Sequence, residues 1–224
     1  VDTIKGFNKQ VLEGLKLPKN VVPGKLRIYS VTVARYRGPQ AKDCEPLLEK
    51  LCEWLNGKNF SPKAGTTIIC AILKAIIGHL YLTWIHPFGD GNGRTARLVE
   101  FQVLITSGVP APAAHLLSNH YNQTRTEYYR QLDRASRSGG DIVPFIHYAV
   151  QGLLDGLRAQ LELIREQQWD VAWVNYVHEK FGDNKSASAV RRRRLVLDLS
   201  KQKAPVPADK LSEITPRIAA AYAR

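Results

Sequence analysis

The run His86-Pro87-Phe88-Gly89-Asp90-Gly91-Asn92-Gly93-Arg94-Thr95-Ala96-Arg97 gathers an imidazole, a carboxylate, a glycine-flanked Asn and two guanidinium groups in one short stretch. Gly91, Asn92 and Gly93 suit a backbone in which consecutive N–H groups converge, and a helix starting there adds its positive end. Such a cradle binds phosphate. Arg94 and Arg97 stand three apart, on one side of a first helical turn, where each guanidinium can hold phosphate oxygens with two hydrogen bonds. Asp90 beside them offers the hard oxygen ligand that Mg²⁺ prefers, with phosphates and waters completing its shell. His86, with an ordinary pKa of about 6.5, can take a proton from an incoming hydroxyl in its neutral form. Singly, these residues are unremarkable: loop histidines are mostly structural, Asp-Gly and Asn-Gly mark turns, and paired arginines form solvated helix faces. Together they point to a phosphate site equipped with a base and a metal-binding carboxylate.

The flanking patterns indicate what positions this run. Apolar residues at helical spacing from Thr66 to Trp84 predict a helix that stops at Ile85, because Pro87 disfavours helical backbone at the residue before it and cannot donate a backbone bond. A second helix is predicted from about Gly93 to Ser107, closed by Gly108 and Pro110. The stretch from His86 to Arg94 is therefore a loop entering a helix N-terminus. Upstream, Thr3–Leu15 and Pro46–Asn56 read as helices. The β-branched and aromatic run Leu26–Arg37, closed by Gly38-Pro39, is the one convincing extended segment. Downstream, helices are predicted over His120–Arg137, Ile142–Gln168 and Trp169–Phe181, the last with Trp169, Trp173, Tyr176, Val177 and Phe181 as its apolar face. A boundary at Gly182–Ser186 would separate a core of residues 1–182 from a basic helical tail, 183–224, with helices over Ala187–Ser200, Lys210–Thr215 and Pro216–Ala223.

Composition bounds the function. With 44% hydrophobic and 23% charged residues, the chain of 224 residues is of ordinary globular type. Its formal charge of +12 favours polyanions, whether nucleotides, nucleic acid or an acidic protein surface. Cys44, Cys52 and Cys70 form neither a pairable set nor a zinc pattern, so a reducing, cytoplasmic setting is expected. The apolar stretch Ala64–Ile85 is broken by Thr66, Thr67, Lys74 and His79, and reads as a buried helix and not a membrane span. The chain holds no methionine, so either an initiator preceded Val1 or the residues belong to a longer protein.

The loop resembles the signature of the Fic family, H-P-F-x-D/E-G-N-G-R-x-x-R, and meets every fixed position between His86 and Arg97. The likeness extends from Ile4 to Leu154, through Pro23-Gly24 and the extended segment, Cys52-Glu53-Trp54-Leu55-Asn56, Gly108-Val109-Pro110, Tyr128-Tyr129 and Gly140-Asp141. It implies a mostly α fold, a helical bundle with a small β-hairpin flap. It also implies a protein adenylyltransferase: His86 deprotonates a Ser, Thr or Tyr hydroxyl of a target protein, which attacks the α-phosphate of ATP and expels pyrophosphate. Asp90 would bind Mg²⁺, the loop residues Gly91, Asn92 and Gly93 with Arg94 and Arg97 would hold the phosphates, and Phe88 would anchor the loop. Tyr129 would lie by the adenine, and Ser136 stands where the family's pattern leads one to expect Asn.

By the same resemblance Ile28, Tyr29, Ser30, Val31, Thr32 and Val33 belong to a flap that pairs with an extended stretch of the target; the alternative is an ordinary hairpin covering the core. Death-on-curing relatives, which phosphorylate, carry Lys-Arg where this chain has Gly93-Arg94, so AMP transfer is favoured over a kinase, with UMP, GMP or phosphocholine transfer left open. Members are often restrained by a helix bearing S/T-x-x-x-E-G/N. Glu13-Gly14 is the nearest match, but Lys9 occupies the Ser/Thr position, so a restraining helix is expected upstream of Val1 or in a partner. The tail, with Arg191 to Arg194, resembles the first part of a winged helix-turn-helix. It is either a DNA-binding element, which would make the chain a nucleotide-sensing regulator, or a solvated helix face that packs on the core and supports a homodimer.

Overall fold

Because ten of its residues are buried, α3 (Thr67–Ile85) is the helix against which its neighbours are arranged. The computed structural model describes residues 1–33, 35–182, 186–202 and 204–215. Three expectations therefore lie outside the described residues in whole or part: the helix at Pro216–Ala223, Ala34 of the extended segment, and Asp183, Asn184 and Lys185 of the boundary.

The chain forms two compact units, Val1–Arg158 and Ala159–Arg224. In the first, α1 (Asp2–Leu12), α2 (Cys44–Asn56), α3 and α4 (Asn92–Thr106) are joined by α5 (Ala111–Ala114), α6 (Leu116–Gln123), α7 (Arg125–Arg137) and the beginning of α8 (Val143–Phe181). α3 packs against α2 on one flank and α4 on the other. One side of it contributes Ala75, Ile76 and Leu80 to a cluster with Leu104, Leu117, Tyr121 and Phe145. Its C-terminal turns contribute Leu82 and Ile85 to a second cluster with Ile4, Leu48, Leu51, Phe88 and Ala96. α3 is long and apolar enough to cross a membrane, and here those apolar faces are spent on the two clusters.

The extended segment becomes a minimal hairpin, β1 (Thr32–Val33) antiparallel to β2 (Tyr36–Arg37), with Thr32 opposite Arg37 and Val33 opposite Tyr36. Two-strand hairpins are marginal alone, and this one is held from its stem. Leu26 makes an isolated antiparallel bridge with Phe88, and the Arg27 N–H donates to the Pro87 carbonyl at 2.9 Å.

The expected helix His120–Arg137 is two helices, broken at Thr124, whose hydroxyl donates to the His120 carbonyl at 2.7 Å. A Thr side chain competing for a backbone carbonyl is a recognised source of helix bends. The two helices expected over Ile142–Phe181 are instead one, α8, since no Gly or Pro interrupts Gln168-Trp169. The first compact unit accordingly ends within α8 at Arg158, upstream of the Gly182 turn. In the second unit Val177 is buried while Trp169 of the same expected apolar face is 76% exposed. α9 (Ala187–Ser200) is capped by Ser186, whose hydroxyl accepts the Ala189 N–H at 3.2 Å. Asp198 on α9 accepts from the Thr215 hydroxyl at 3.0 Å, just past α10 (Leu211–Ile214).

Under the site, Glu100 is buried at 1% exposure and accepts the Tyr121 hydroxyl at 2.9 Å. Burial pushes its pKa up to about 8 and pulls that of buried His79, beside it, down to about 3. Both are neutral near pH 7. The folded chain thus keeps a proton on Glu100 that the unfolded chain releases above 4.5, so stability is lost as pH rises from 4.5 to about 8. Glu100→Gln keeps an acceptor for Tyr121 without titrating. The wild-type Tm is expected to fall across that window relative to the Gln variant, and parallel Tm profiles would show that Glu100 is not a buried neutral acid.

Candidate active site

α3 ends on His86, which adopts a left-handed conformation with φ 45 and ψ 56. It is the single non-glycine residue of positive φ among the described residues. Such backbone costs a non-glycine residue roughly 1–2 kcal/mol, so its surroundings must hold it. Its N–H donates to the Leu82 carbonyl at 3.1 Å, and its carbonyl accepts Arg27 Nε at 2.8 Å. The turn swings the ring back over α3, where Nδ1 lies 3.3 Å from the Thr83 carbonyl. A carbonyl only accepts, so Nδ1 carries the proton and Nε2 the lone pair. Burial lowers the pKa of His86, opposed by the Thr83 bond; the Arg27 charge lowers it further and Asp90 raises it.

The loop after His86 is tied internally. Asn92, 3% exposed, accepts the Phe88 N–H on Oδ1 at 2.9 Å and donates from Nδ2 to the Phe88 carbonyl at 2.8 Å. Its side chain is therefore committed to the loop. Phe88 itself is 1% exposed, the anchor expected of it. Gly91 has φ 77, and a Cβ there would meet Asn8 Nδ2 and Leu12 Cδ2, both at 3.1 Å. A side chain at this position is both strained and crowded. Asn8, fully buried on α1, binds the Asp90 carbonyl at 2.9 Å and the Thr95 hydroxyl at 3.2 Å from Nδ2, and accepts the Gly24 N–H at 2.9 Å.

Asp90 Oδ1 accepts the Gly91 N–H and lies 3.4 Å from Arg94 NH2, while Arg94 NH1 donates to the Val11 carbonyl at 3.0 Å. Arg94 thus bridges α1 and Asp90 in this state. Arg97 NH1 comes within 3.7 Å of where a Gly93 Cβ would be, so its guanidinium lies along the start of α4. Among the described residues no three His, Cys, Asp or Glu side chains gather as a metal cage.

His86, Asp90, Gly91, Asn92, Gly93, Arg94, Arg97 and Tyr129 all line one cavity of about 780 Å³. That volume is ample for a nucleotide. Tyr129 is half exposed there, with Arg125 5.8 Å above its ring. Of the six flap residues read from the sequence, Val33 lines the cavity. Thr32 pairs across the hairpin, Ile28 is 91% exposed, and Tyr29 lies by its hydroxyl against Gly89. Ser30 is exposed, and Val31 accepts the Gly38 N–H at 3.2 Å. Ser136 donates its hydroxyl to the Asp133 carbonyl at 2.8 Å, and Asp133 is the α7 residue of that turn lining the cavity.

Arg35 and Tyr36, further along the extended segment, also line the cavity, as do Arg125 and Asp133, which were not read from the sequence. Nor were Arg27 and Asn8, which lie outside any motif. The one signal for them was a polar residue at a core position of an otherwise apolar pattern. Tyr36 fastens the hairpin through its hydroxyl to the Trp84 carbonyl at 2.8 Å.

Residues 1–104 match the sequence model of the Fic/DOC family. Protein adenylyltransferase fic-1 of Caenorhabditis elegans is 34% identical over 151 residues, 67% of this chain and 26% of that protein. Protein adenylyltransferase Fic of Nematostella vectensis is 34% identical over 128 residues, 57% of this chain and 27% of that protein. The chain thus spans about a quarter of the length of these curated relatives. A Fic family protein from Desulfovibrio desulfuricans G20 superposes with a TM-score of 0.60 at 19% identity, over 96% of this chain and 56% of that one. A Fic domain signalling protein from Bacteroides thetaiotaomicron superposes with a TM-score of 0.54 at 24% identity, over 70% of this chain and 60% of that one. These two likenesses concern the fold. The matched residues 1–104 contain both the hairpin and the loop from His86 to Arg97, and over this stretch the chain matches the Fic/DOC family.

Proposed function

We propose that this chain is a nucleotidyltransferase that moves AMP from ATP to a Ser, Thr or Tyr hydroxyl of a target protein. The observation that carries the reading is one cavity lined by His86, whose Nδ1 faces the Thr83 carbonyl, beside a helix N-terminus and Arg97. Nε2 of His86 takes the hydroxyl proton, the hydroxyl oxygen bonds to the α-phosphorus, and the bond to the bridging oxygen breaks, releasing pyrophosphate. The backbone N–H groups at Gly91–Gly93 and the Arg97 guanidinium meet the developing phosphate charge. Arg94 reaches the phosphates by exchanging its Val11 carbonyl for a phosphate oxygen. The Tyr129 ring packs by the base, and the hairpin of Val33 receives the target chain.

Asp90 fits a Mg²⁺ site, since Oδ1 is held by Gly91 while the side chain stays half exposed at the cavity, a lone hard ligand that leaves the remaining positions to phosphates and water. Bound there, the cation would neutralise polyphosphate charge. The free thiols of Cys44, Cys52 and Cys70 accord with a reducing, cytoplasmic compartment.

Incubation with lysate, Mg²⁺ and ATP labelled at the α or the γ phosphate tests the reading. Label is expected in protein from the α position alone. Label from γ would make the chain a kinase, and label from neither would remove the transferase assignment.

A further inference from the structure

Arg27 is 4% exposed, and its guanidinium makes four bonds, every one to a backbone carbonyl oxygen. Nε donates to His86 at 2.8 Å, and NH2 reaches Ile85 at 3.5 Å. NH1 donates to Tyr29 at 2.7 Å, and NH2 to Pro39 at 2.7 Å. The first two acceptors are the negative end of α3, which favours a cation. The other two are the ends of the segment that carries the hairpin. The seat is tight, since a Cβ on Gly38 would come 3.3 Å from Arg27 NH2.

Burying a cation is costly unless its donors are satisfied, and a Leu or Met would fill the same space more cheaply if only packing were needed. What a planar five-donor fork supplies, and an apolar side chain does not, is a fixed distance between two pieces of backbone. One piece is the left-handed turn that aims the His86 ring. The other is the root of the hairpin.

We infer that Arg27 is a positioning residue for the transfer step, locking the hairpin that receives the target chain to the backbone of the base His86, so that the incoming hydroxyl meets Nε2 in register. This rests on the transfer reading above. Arg27 touches neither nucleotide nor hydroxyl, and its effect belongs to the rate and not to ATP affinity.

Arg27→Lys keeps the charge but cannot bridge both sides. Transfer of α-label is expected to fall roughly 100-fold, the scale of a misplacement of about 1 Å, while calorimetric ATP affinity stays within about twofold. Hydrogen exchange should quicken in the variant at both Ile28–Pro39 and Ile85–Phe88. Transfer kept near the wild-type rate, ATP affinity falling in step with rate, or exchange quickened on one side alone would each overturn the inference. If the wild-type chain transfers no label, the transfer reading fails by itself, and the exchange result still decides whether Arg27 joins the two segments. Should Arg27→Lys not fold, exchange in the unaltered protein over a urea series provides the test. The Gly38 and His86 amides are expected to open with one common dependence on urea, and separate dependences would refute the lock.

Discussion

His86→Ala is expected to lower transfer of the α-label by roughly 10²- to 10⁴-fold, the usual contribution of a positioned general base, while ATP binding is largely retained. The loss is confined to rate because the proposed phosphate cradle is built from α4 and the loop backbone, neither of which uses the imidazole. The same residue sets the pH dependence. Burial, the largest influence, holds its pKa below 6.5, so the free base persists at lower pH than it would for an exposed histidine. The acid limb of kcat/KM is therefore expected below pH 6.5. An Ala variant with wild-type transfer, or an acid limb displaced above 6.5, would remove His86 from the role of base.

Asn92→Ala should act differently, and mainly through stability. Its amide satisfies both the N–H and the carbonyl of buried Phe88, and each orphaned buried group costs about 1–3 kcal/mol. A loss of roughly 2–6 kcal/mol in unfolding free energy is expected, with transfer falling alongside as the loop loses its shape. Urea unfolding of the variant measures this. A variant of wild-type stability that had nonetheless lost ATP affinity would mean that the Asn92 side chain serves the ligand and not the loop.

The contrast between these residues shows what was legible. The loop's chemistry could be read because its residues are consecutive: a base, a carboxylate, small turn residues and arginines at helical spacing need no tertiary contact to be recognised. The bounds of α3 and α4 were nearly as plain, since Pro87 and the Asn92-Gly93 step are local signals. The break at Thr124 and the continuity of α8 past Gln168 were less so. Neither has a Gly or Pro to mark it, and each depends on a balance between backbone and side-chain bonds that periodicity does not register.

By itself, the sequence determined the mostly helical class, the loop at a helix start and the groups available there for binding phosphate and taking a proton. Only the tertiary structure decided how those groups are used. It spent the Asn92 side chain on Phe88, turned Arg94 toward Val11 and left Nε2 of His86 free. It also brought in Asn8 and Arg27, distant in sequence by many residues, as the supports of the loop and of His86. The reason is physical: a motif lists donors and acceptors, but a donor's partner is chosen by which carbonyl or carboxylate folding brings within about 3 Å of it, and that choice is made by the whole chain.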